Sequence, residues 1–246
     1  MLTKLEARDI LFIDEIHRIP KVIEEYLYSA MEDYKLDIII DQGPGARSVS
    51  LQLEKFTLIG STTRAGLLSA PLLDRFGLRC RLKYYNTEEL ANIVNRSAGI
   101  LNIKIETEGA KLIAKRSRGT PRIANRLLKL TRDLAFVKNS GVITAAIADE
   151  CLNNWEIDHL GLDELDKKIL TTIIDTYNGG PVGLNSIAVS VGEESGTIEE
   201  VYEPFLVQEG FIRRTSRGRE ATDLAYEHLG LKKRKKQAAE KGLFDH

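Results

Sequence analysis

The 246-residue sequence predicts an α/β domain, followed by a small helical domain and a C-terminal winged helix. Apolar, β-branched runs alternate with a helical pattern up to about residue 83, as they do in α/β domains. A helical pattern alone continues from there to about residue 157. Three further helical segments and an arginine-rich ribbon then follow in the order of a winged helix. A chain of this length has room for two or three such domains.

The composition argues against several classes of protein. With 35 Lys and Arg against 36 Asp and Glu, the net charge of -1 does not predict nucleic-acid binding by the chain as a whole, so any basic surface must be local. Cys80 and Cys151 lack metal-ligand spacing and indicate reduced thiols in a cytosolic protein. No apolar run approaches the ~20 residues of a membrane span and no signal sequence opens the chain. We therefore expect a cytoplasmic protein with no membrane partner.

In the α/β part, the apolar run that ends at Ile13 predicts a buried parallel strand, and residues 22–33 predict a helix. Further strands are predicted at 36–40, 49–53 and 56–60. Turn residues at 41–45 separate the first two of these strands, so the pair predicts a β-hairpin.

In the helical part, Asn86 and Glu89 predict a capping box, and Thr120 and Pro121 predict the N-cap and first residue of a later helix. That later helix has apolar residues at helical spacing: Ile123, Leu127, Leu130 and Leu134. The pattern predicts a compact helical domain.

The C-terminal part begins with a predicted amphipathic helix over 163–177 and a sharp loop at 179–183. Two short helical segments and a ribbon over 210–219 complete the winged-helix order. The predicted domains cover 1–84, 85–157 and 158–230, and 231–246 forms a tail with basic residues at 232–236 that we expect to be disordered.

Asp14 and Glu15 directly follow the first predicted strand, at the carboxyl edge of a sheet where ligands bind. A nucleotide-hydrolysing motor needs such carboxylates for Mg²⁺ and for activating water. The alternative is an ordinary buried strand that ends in two solvated acids. The sequence contains no Gly-Lys dipeptide, and so none of the Gly-Lys-Ser/Thr loops that hold nucleotide phosphates.

Thr62 and Thr63 follow the strand at 56–60, where their hydroxyls can orient a γ-phosphate or the attacking water. The alternative is a cap for the next turn. Both residues are candidates because of their order and spacing behind the acid pair.

Two arginines are candidates for phosphate contacts. Arg75 either pairs with Asp74 at the surface or reaches the phosphates of a neighbouring subunit, which requires a ring. Arg122 lies in the first turn of a helix, where a cation gains nothing from the helix dipole. A bound phosphate would be a suitable partner for Arg122.

Two surfaces are candidates for partners. Ile38 and Ile40 lie on one face of the predicted hairpin, and an apolar face of this size predicts a partner surface unless the isoleucines pack inside their own domain. The ribbon offers a set of cations that can follow a phosphate backbone without reading sequence: Arg213, Arg214, Arg217 and Arg219. A solvated turn is the alternative interpretation of the ribbon.

The helix before the ribbon carries three acids, Glu199, Glu200 and Glu203. Acids that face phosphates would repel a duplex, so we expect the wing, and not this helix, to hold DNA.

The segments "LFIDEIHR", "MEDYKLDI", "GPGARS", "FTLIGSTTRAGLLSAPLLDRFG", "RSRGTPRIANRLL", "GGPVGL", "GEESGTIEEVYEPFLVQEGF" and "RTSRGR" together resemble the RuvB family of bacterial Holliday-junction branch-migration motors, in the AAA+ class of ATPases. The resemblance extends from about residue 2 to about residue 230 and implies a partial AAA+ core, a helical lid and a winged helix. Leu73 and Ser216 depart from the family pattern, which usually has Arg and Pro at these positions.

The resemblance implies a role for each catalytic candidate. Asp14 and Glu15 match the Walker B pair, with Asp14 at the Mg²⁺ ion. Thr62 or Thr63 matches sensor 1, and Arg75 matches the arginine finger.

The resemblance also implies binding residues and partners. Arg122 matches sensor 2, Tyr85 is a further nucleotide contact, and the hairpin around Ile38, Ile39 and Ile40 docks on RuvA. Complete family members use ATP and Mg²⁺, form a homo-hexameric ring and act on Holliday junctions and double-stranded DNA with RuvA, and RuvC is a further candidate partner.

In the family, a strand, the phosphate loop and an adenine-contacting segment precede the Walker B strand, and this sequence starts after them. We therefore expect a chain that begins inside its ATPase domain and, alone, neither binds ATP and Mg²⁺ nor hydrolyses ATP. One alternative is a non-catalytic remnant that binds DNA or RuvA. Another is a different AAA+ protein with a winged helix, such as an origin-recognition ATPase, which the isoleucine-rich hairpin and the Gly-Gly-Pro-Val-Gly loop disfavour.

Overall fold

The computed structural model describes residues 1–39, 48–138 and 141–232, and the chain divides into two units, Met1–Leu82 and Lys83–His246. Ile40, the turn at 41–45 and the basic residues 233–236 lie outside the described residues. In the described ranges, no helix combines the length and apolar character needed to cross a membrane.

The described residues of the first unit form two pairs of strands and two α-helices. The strands are β1 (Ile10–Ile13), β2 (Lys35–Ile39), β3 (Ser48–Gln52) and β4 (Thr57–Gly60). The helices are α1 (Lys21–Glu32) and α2 (Ala70–Arg75). β1 pairs with β4 in parallel, and β2 pairs with β3 as the predicted antiparallel hairpin. Each predicted strand and helix of this unit is confirmed to within one residue.

The prediction that β1 is a buried strand is correct for one face only. Leu11 is 5% exposed, whereas Ile10 and Phe12 on the opposite face are 65% and 57% exposed. Parallel strands are normally covered on both faces. Within the described part of the chain, no element covers the face formed by Ile10 and Phe12.

The second unit opens with the predicted helical domain. Its helices are α3 (Thr87–Ile100), α4 (Thr107–Lys115), α5 (Pro121–Val137) and α6 (Ala145–Asn154). Its short parallel strands, β5 (Lys104–Ile105) and β6 (Val142–Ile143), have only two residues each, too few to show a period in the sequence. The helices enclose a core that includes Leu90, Val94, Ile113, Leu127, Leu128 and Leu152.

The helix starts of this domain agree with the sequence in position. The Glu89 N–H donates to Asn86 Oδ1 and the Asn86 N–H donates to Glu89 Oε2, both at 2.9 Å, so the capping box is confirmed. Thr120 is the N-cap of α5 and Pro121 its first residue. The Thr120 hydroxyl, however, donates to the Arg118 carbonyl at 3.1 Å and does not cap the helix.

The winged helix completes the second unit. Its helices are α7 (Glu164–Thr171), α8 (Leu184–Val191), α9 (Ser195–Thr197), α10 (Glu203–Gln208) and α11 (Asp223–His228). A π-helical turn, Thr172–Thr176, extends α7, and another, Ile198–Tyr202, joins α9 to α10. The wing is an antiparallel hairpin of β7 (Ile212–Thr215) and β8 (Gly218–Ala221).

The Gly-Gly-Pro-Val-Gly loop packs against the wing. The Val182 N–H donates to the Arg219 carbonyl at 3.0 Å, and the Arg219 N–H donates back to the Val182 carbonyl at 2.8 Å. Gly218 has a φ of +137°, and a Cβ there would lie 2.3 Å from the Val182 carbonyl oxygen. Only glycine fits at position 218, so the packing of the loop against the wing requires Gly218.

A buried arginine joins the helical domain to the winged helix. Arg118 Nε donates to the Gly161 carbonyl at 2.7 Å, and Nη2 lies 2.9 Å from Asp163 Oδ2. The same Nη2 also pairs with Asp166, whose side chain is fully buried. The guanidinium lies 4.9 Å from the ring centroid of Phe205 on α10. The two domains are therefore linked by ionic and packing contacts.

Candidate functional site

The carboxyl ends of β1 and β4 form one edge, as the sequence predicts. Ile13 lies opposite Gly60 in the parallel register. The Ser61 N–H donates to the Ile13 carbonyl at 3.0 Å, and the Ile16 N–H donates to the Ser61 carbonyl at 2.9 Å. The Ser61 hydroxyl donates to Asp14 Oδ1. Asp14 and the residues after Gly60 are therefore held side by side.

Glu15 lies in a cluster of polar side chains at this edge. Its φ of +49° is in the left-handed region, which is uncommon for residues other than glycine. Glu15 Oε2 accepts a hydrogen bond from the Thr63 hydroxyl at 3.2 Å and lies 3.2 Å from His17 Nδ1. His17 Nδ1 is also 2.8 Å from the Thr62 hydroxyl oxygen. Thr63 and His17 therefore both contact the same oxygen of the Glu15 carboxylate.

The structure brings together four of the predicted catalytic candidates: Asp14, Glu15, Thr62 and Thr63. It adds His17 and Ser61, which the sequence patterns do not single out. His17 lies in the 3-10 turn Ile16–Arg18, three residues after Asp14, so its spacing was a usable signal. Ser61 is the first residue after β4 and faces Asp14 only because of the strand register.

The edge fits part of a magnesium–nucleotide site. Asp14 Oδ1 accepts from Ser61 and from the Glu15 N–H, while Oδ2 makes no hydrogen bond with any described residue. Mg²⁺ is commonly held by one or two carboxylates together with substrate phosphates. In the ranges that the structure describes, no group of three or more His, Cys, Asp or Glu side chains could hold a metal ion. The Oδ2 atom of Asp14 therefore suits a metal that arrives with phosphates.

Arg75 is folded back onto its own unit. Its Nη2 lies 3.0 Å from Glu32 Oε1, and Nη1 donates to the Pro71 carbonyl at 2.8 Å. The guanidinium carbon is 4.4 Å from the Tyr28 ring centroid. The surface partner considered for Arg75, Asp74, pairs instead with Arg79 at 3.1 Å. The buried Nε of Arg75 has no hydrogen-bond partner among the residues that the structure describes.

Arg122 and Tyr85 lie at the same end of the helical domain. The Tyr85 N–H donates to the Gly119 carbonyl at 3.0 Å, which places Tyr85 beside the turn that leads into α5. The Arg122 side chain is exposed in the first turn of that helix and has no ionic or hydrogen-bond partner among the described residues. Both side chains are available to a ligand at this end of α5.

The hairpin presents an exposed apolar face. Ile38 pairs with Val49, and Leu36 pairs with Leu51, so all four side chains lie on one face. Ile38, Val49 and Leu51 are 37%, 41% and 37% exposed. Ile39 belongs to β2, where the structure describes its backbone. The alternative that Ile38 packs inside its own domain does not agree with this exposure.

The wing arginines differ in their surroundings. Arg214 and Arg219 both bind Glu203, and Arg213 pairs with Glu220 at 2.7 Å. Arg217 is exposed at the turn, and in the described parts of the chain its side chain has no partner. The expectation that Glu203 faces and repels DNA is wrong, because its side chain is 1% exposed and neutralised by the two arginines.

The acid pair at the end of a parallel strand is followed along the chain by a helical domain and a winged helix, which is the domain order of a protein of the AAA+ class. Family models match the chain in the same order: the Holliday junction DNA helicase RuvB P-loop domain over 1–82, the RuvB AAA lid domain over 85–158 and the RuvB C-terminal winged-helix domain over 159–230. The chain belongs to the RuvB family.

Individual relatives agree. The chain is 60% identical over 246 residues to the Holliday junction branch migration complex subunit RuvB of Parabacteroides distasonis, covering all of this chain and 71% of the relative. It is 58% identical over 245 residues to the same subunit of Salinibacter ruber, covering 100% of this chain and 70% of the relative. The solved RuvB branch migration motor of Thermotoga maritima superposes with a TM-score of 0.83 at 50% identity, over 94% of this chain and 72% of that one.

Proposed function

We propose that this chain is a RuvB-type motor subunit that takes part, with RuvA, in ATP-driven branch migration of Holliday junctions during recombination and repair. The observation that carries the proposal is the ordered match of three RuvB domains along the chain. The matches also support domain boundaries at 1–84, 85–157 and 158–230. A homo-hexameric ring and an association with RuvC belong to the same proposal.

The roles at the β1–β4 edge follow from its chemistry. In a complete site, Asp14 would hold the Mg²⁺ that accompanies ATP, and Glu15 would activate the attacking water. Thr62 or Thr63 orients the γ-phosphate or that water as sensor 1. His17 positions Glu15, which its 3.2 Å approach to the carboxylate supports.

Three further residues contact the nucleotide in this proposal. Arg122 acts as sensor 2 and Tyr85 as a second contact at the start of α5. Arg75 is the arginine finger and reaches a neighbouring subunit after leaving Glu32. The orphaned Nε of Arg75 supports such a move, because a buried unpaired donor costs free energy in the folded-back position.

These 246 residues contain no phosphate-binding loop of the Gly-Lys-Ser/Thr type. Asp14 binds Mg²⁺ in company with phosphates, so without a phosphate loop neither the metal nor the nucleotide is firmly held. We propose that the 246 residues alone bind no ATP or Mg²⁺ and have no ATPase activity. The alternative function is binding to DNA or RuvA without ATP turnover. We expect this behaviour of the 246 residues by themselves.

The apolar hairpin face is the proposed RuvA-docking surface, and it gives the direct test of the partner. Ile38→Asp places a charge in the exposed face of Leu36, Ile38, Val49 and Leu51. We expect binding to purified RuvA, measured by calorimetry, to weaken at least about tenfold, or ~1.4 kcal/mol.

Ser50→Asp is the matched control for this test. Ser50 is exposed one residue along β3, on the opposite face of the hairpin from Val49 and Leu51. This variant should bind RuvA as the parent does, with circular dichroism checking the fold of both. Equal loss in the two variants, or no loss in Ile38→Asp, would rule out the apolar face as the docking surface.

A further inference from the structure

Glu203, the first residue of α10, is a buried carboxylate that binds two of the four wing arginines. Glu203 Oε1 accepts from Arg214 Nε and from Arg219 Nε, both at 2.8 Å. Glu203 Oε2 accepts from Nη2 of Arg214 at 2.8 Å and from Nη2 of Arg219 at 3.1 Å. A carboxylate has about four lone-pair positions, so these four bonds saturate it.

The charges of this cluster depend on one another. Arg214 and Arg219 lie directly opposite in the wing register, where two like charges repel. Burial raises the pKa of Glu203, but the hydrogen bonds from Arg219 and Arg214 outweigh that rise and hold the pKa below its ordinary value. Glu203 is therefore ionised at neutral pH and compensates the repulsion between the two arginines.

Arginine binds phosphate through the same bidentate geometry. In Arg214 and Arg219, the edge formed by Nε and Nη2 is already occupied by Glu203. Arg213 differs, because its side chain is 69% exposed and its pairing with Glu220 is a surface ion pair of small free energy. The Arg217 side chain has no partner among the described residues that a DNA phosphate would have to displace.

We propose that Glu203 is a positioning residue of the wing, which takes the place of a DNA phosphate on Arg214 and Arg219 and leaves Arg213 and Arg217 to contact DNA. The inference rests on the proposed function, in particular on DNA binding by the wing. It deepens that function by dividing the four arginines into two roles. Fewer phosphate contacts give a weaker grip, which suits a subunit that must release and rebind DNA as it moves.

The salt dependence of DNA affinity tests this division. The slope of log affinity against log salt concentration is measured for a mixed-sequence duplex with the parent chain and its variants, since each phosphate contact contributes about 0.9 to the slope. Arg217→Ala should flatten the slope by roughly 1 and weaken all sequences alike. Glu203→Gln keeps the size of the side chain, removes its charge and frees the two arginines, so the slope should steepen by roughly 1 to 2.

Glu200→Gln is the matched control for Glu203→Gln. It removes an exposed carboxylate from the π-helical turn that precedes α10, so the change in net charge is the same. We expect its slope to differ from that of the parent by less than about 0.5. A Glu203→Gln slope equal to that of Glu200→Gln, or flatter than that of the parent, would overturn the inference.

A second variant covers the case in which Glu203→Gln does not fold, as judged by circular dichroism. Arg214 is half exposed, and Arg214→Ala should flatten the slope by less than half as much as Arg217→Ala. Equal flattening would overturn the inference while leaving DNA binding by the wing intact. A parent chain whose DNA affinity is independent of salt and of Arg217 would instead overturn the proposed DNA site itself.

Discussion

Asp166 is a single carboxylate whose surroundings change its proton affinity. It lies at the junction of the helical domain and the winged helix, fully buried beside Arg118 and Asp163. Burial raises the pKa of Asp166 to about 7 from an ordinary value of 3.8, although the charge of Arg118 opposes the rise and that of Asp163 adds to it. The folded chain therefore binds this proton more tightly than the unfolded chain.

The stability of the folded chain should therefore fall as the pH rises. The stability that comes from protonated Asp166 is fully present below about pH 4 and is lost as the pH rises through about 7. Asp166→Asn mimics the neutral form at every pH. In urea unfolding between pH 4 and 8, we expect the parent to lose stability relative to Asp166→Asn as the pH rises to about 7, with a constant difference above it. Parallel curves over the whole range would show that Asp166 stays ionised.

Site residues could be predicted from the sequence where their role depends on a strand end. Asp14, Glu15, Thr62 and Thr63 follow two parallel strands, and parallel strands end at the same edge. The role of His17 could not be predicted, because its contact with Thr62 spans 45 residues of sequence.

The environment of Glu203 could not be predicted from its neighbours in the sequence. A count of charges along the chain predicts an acid that repels DNA. Its real environment is created by two arginines that lie 11 and 16 residues away and meet it only when the wing folds over α10. The charge environment of Glu203 therefore depends on tertiary structure.

Among the elements, the two faces of β1 differ in burial within these 246 residues. Leu11 is buried, whereas Phe12 is 57% exposed. Leu11→Ala should lower the free energy of unfolding by ~2–4 kcal/mol, because it leaves a cavity in the core of the first unit. Phe12→Ala should lower it by less than about 1 kcal/mol, since the removed ring is largely in water already.

Urea unfolding of these two variants needs a probe that reports on the first unit. The one tryptophan, Trp155, lies in the helical domain, so far-UV circular dichroism is the better signal. Equal destabilisation by the two substitutions would mean that the face formed by Ile10 and Phe12 is covered in solution.

At the scale of the whole molecule, the order of domains could be predicted because each has its own periodicity. The sequence has strand-like runs, then helical spacing, and then helices with a glycine-containing ribbon. This succession predicts the α/β, helical and winged-helix order that the structure has. The link through Arg118 could not be predicted, because an arginine before a helix has no local feature that indicates its distant partners. The same limit applies to the covering of β1, since a run of apolar residues does not say which face is packed.

ATP turnover tests most directly whether the β1–β4 edge is the hydrolytic half of a RuvB-type site. Two proteins are compared: the 246-residue chain, and a chimera in which the phosphate-loop segment of the Parabacteroides distasonis relative is joined ahead of residue 1. We predict no turnover by the chain alone, with or without DNA, and turnover by the chimera that Glu15→Gln abolishes. Steady turnover by the chain alone that Glu15→Gln removes, or chimera turnover that Glu15→Gln leaves unchanged, would contradict the assignment.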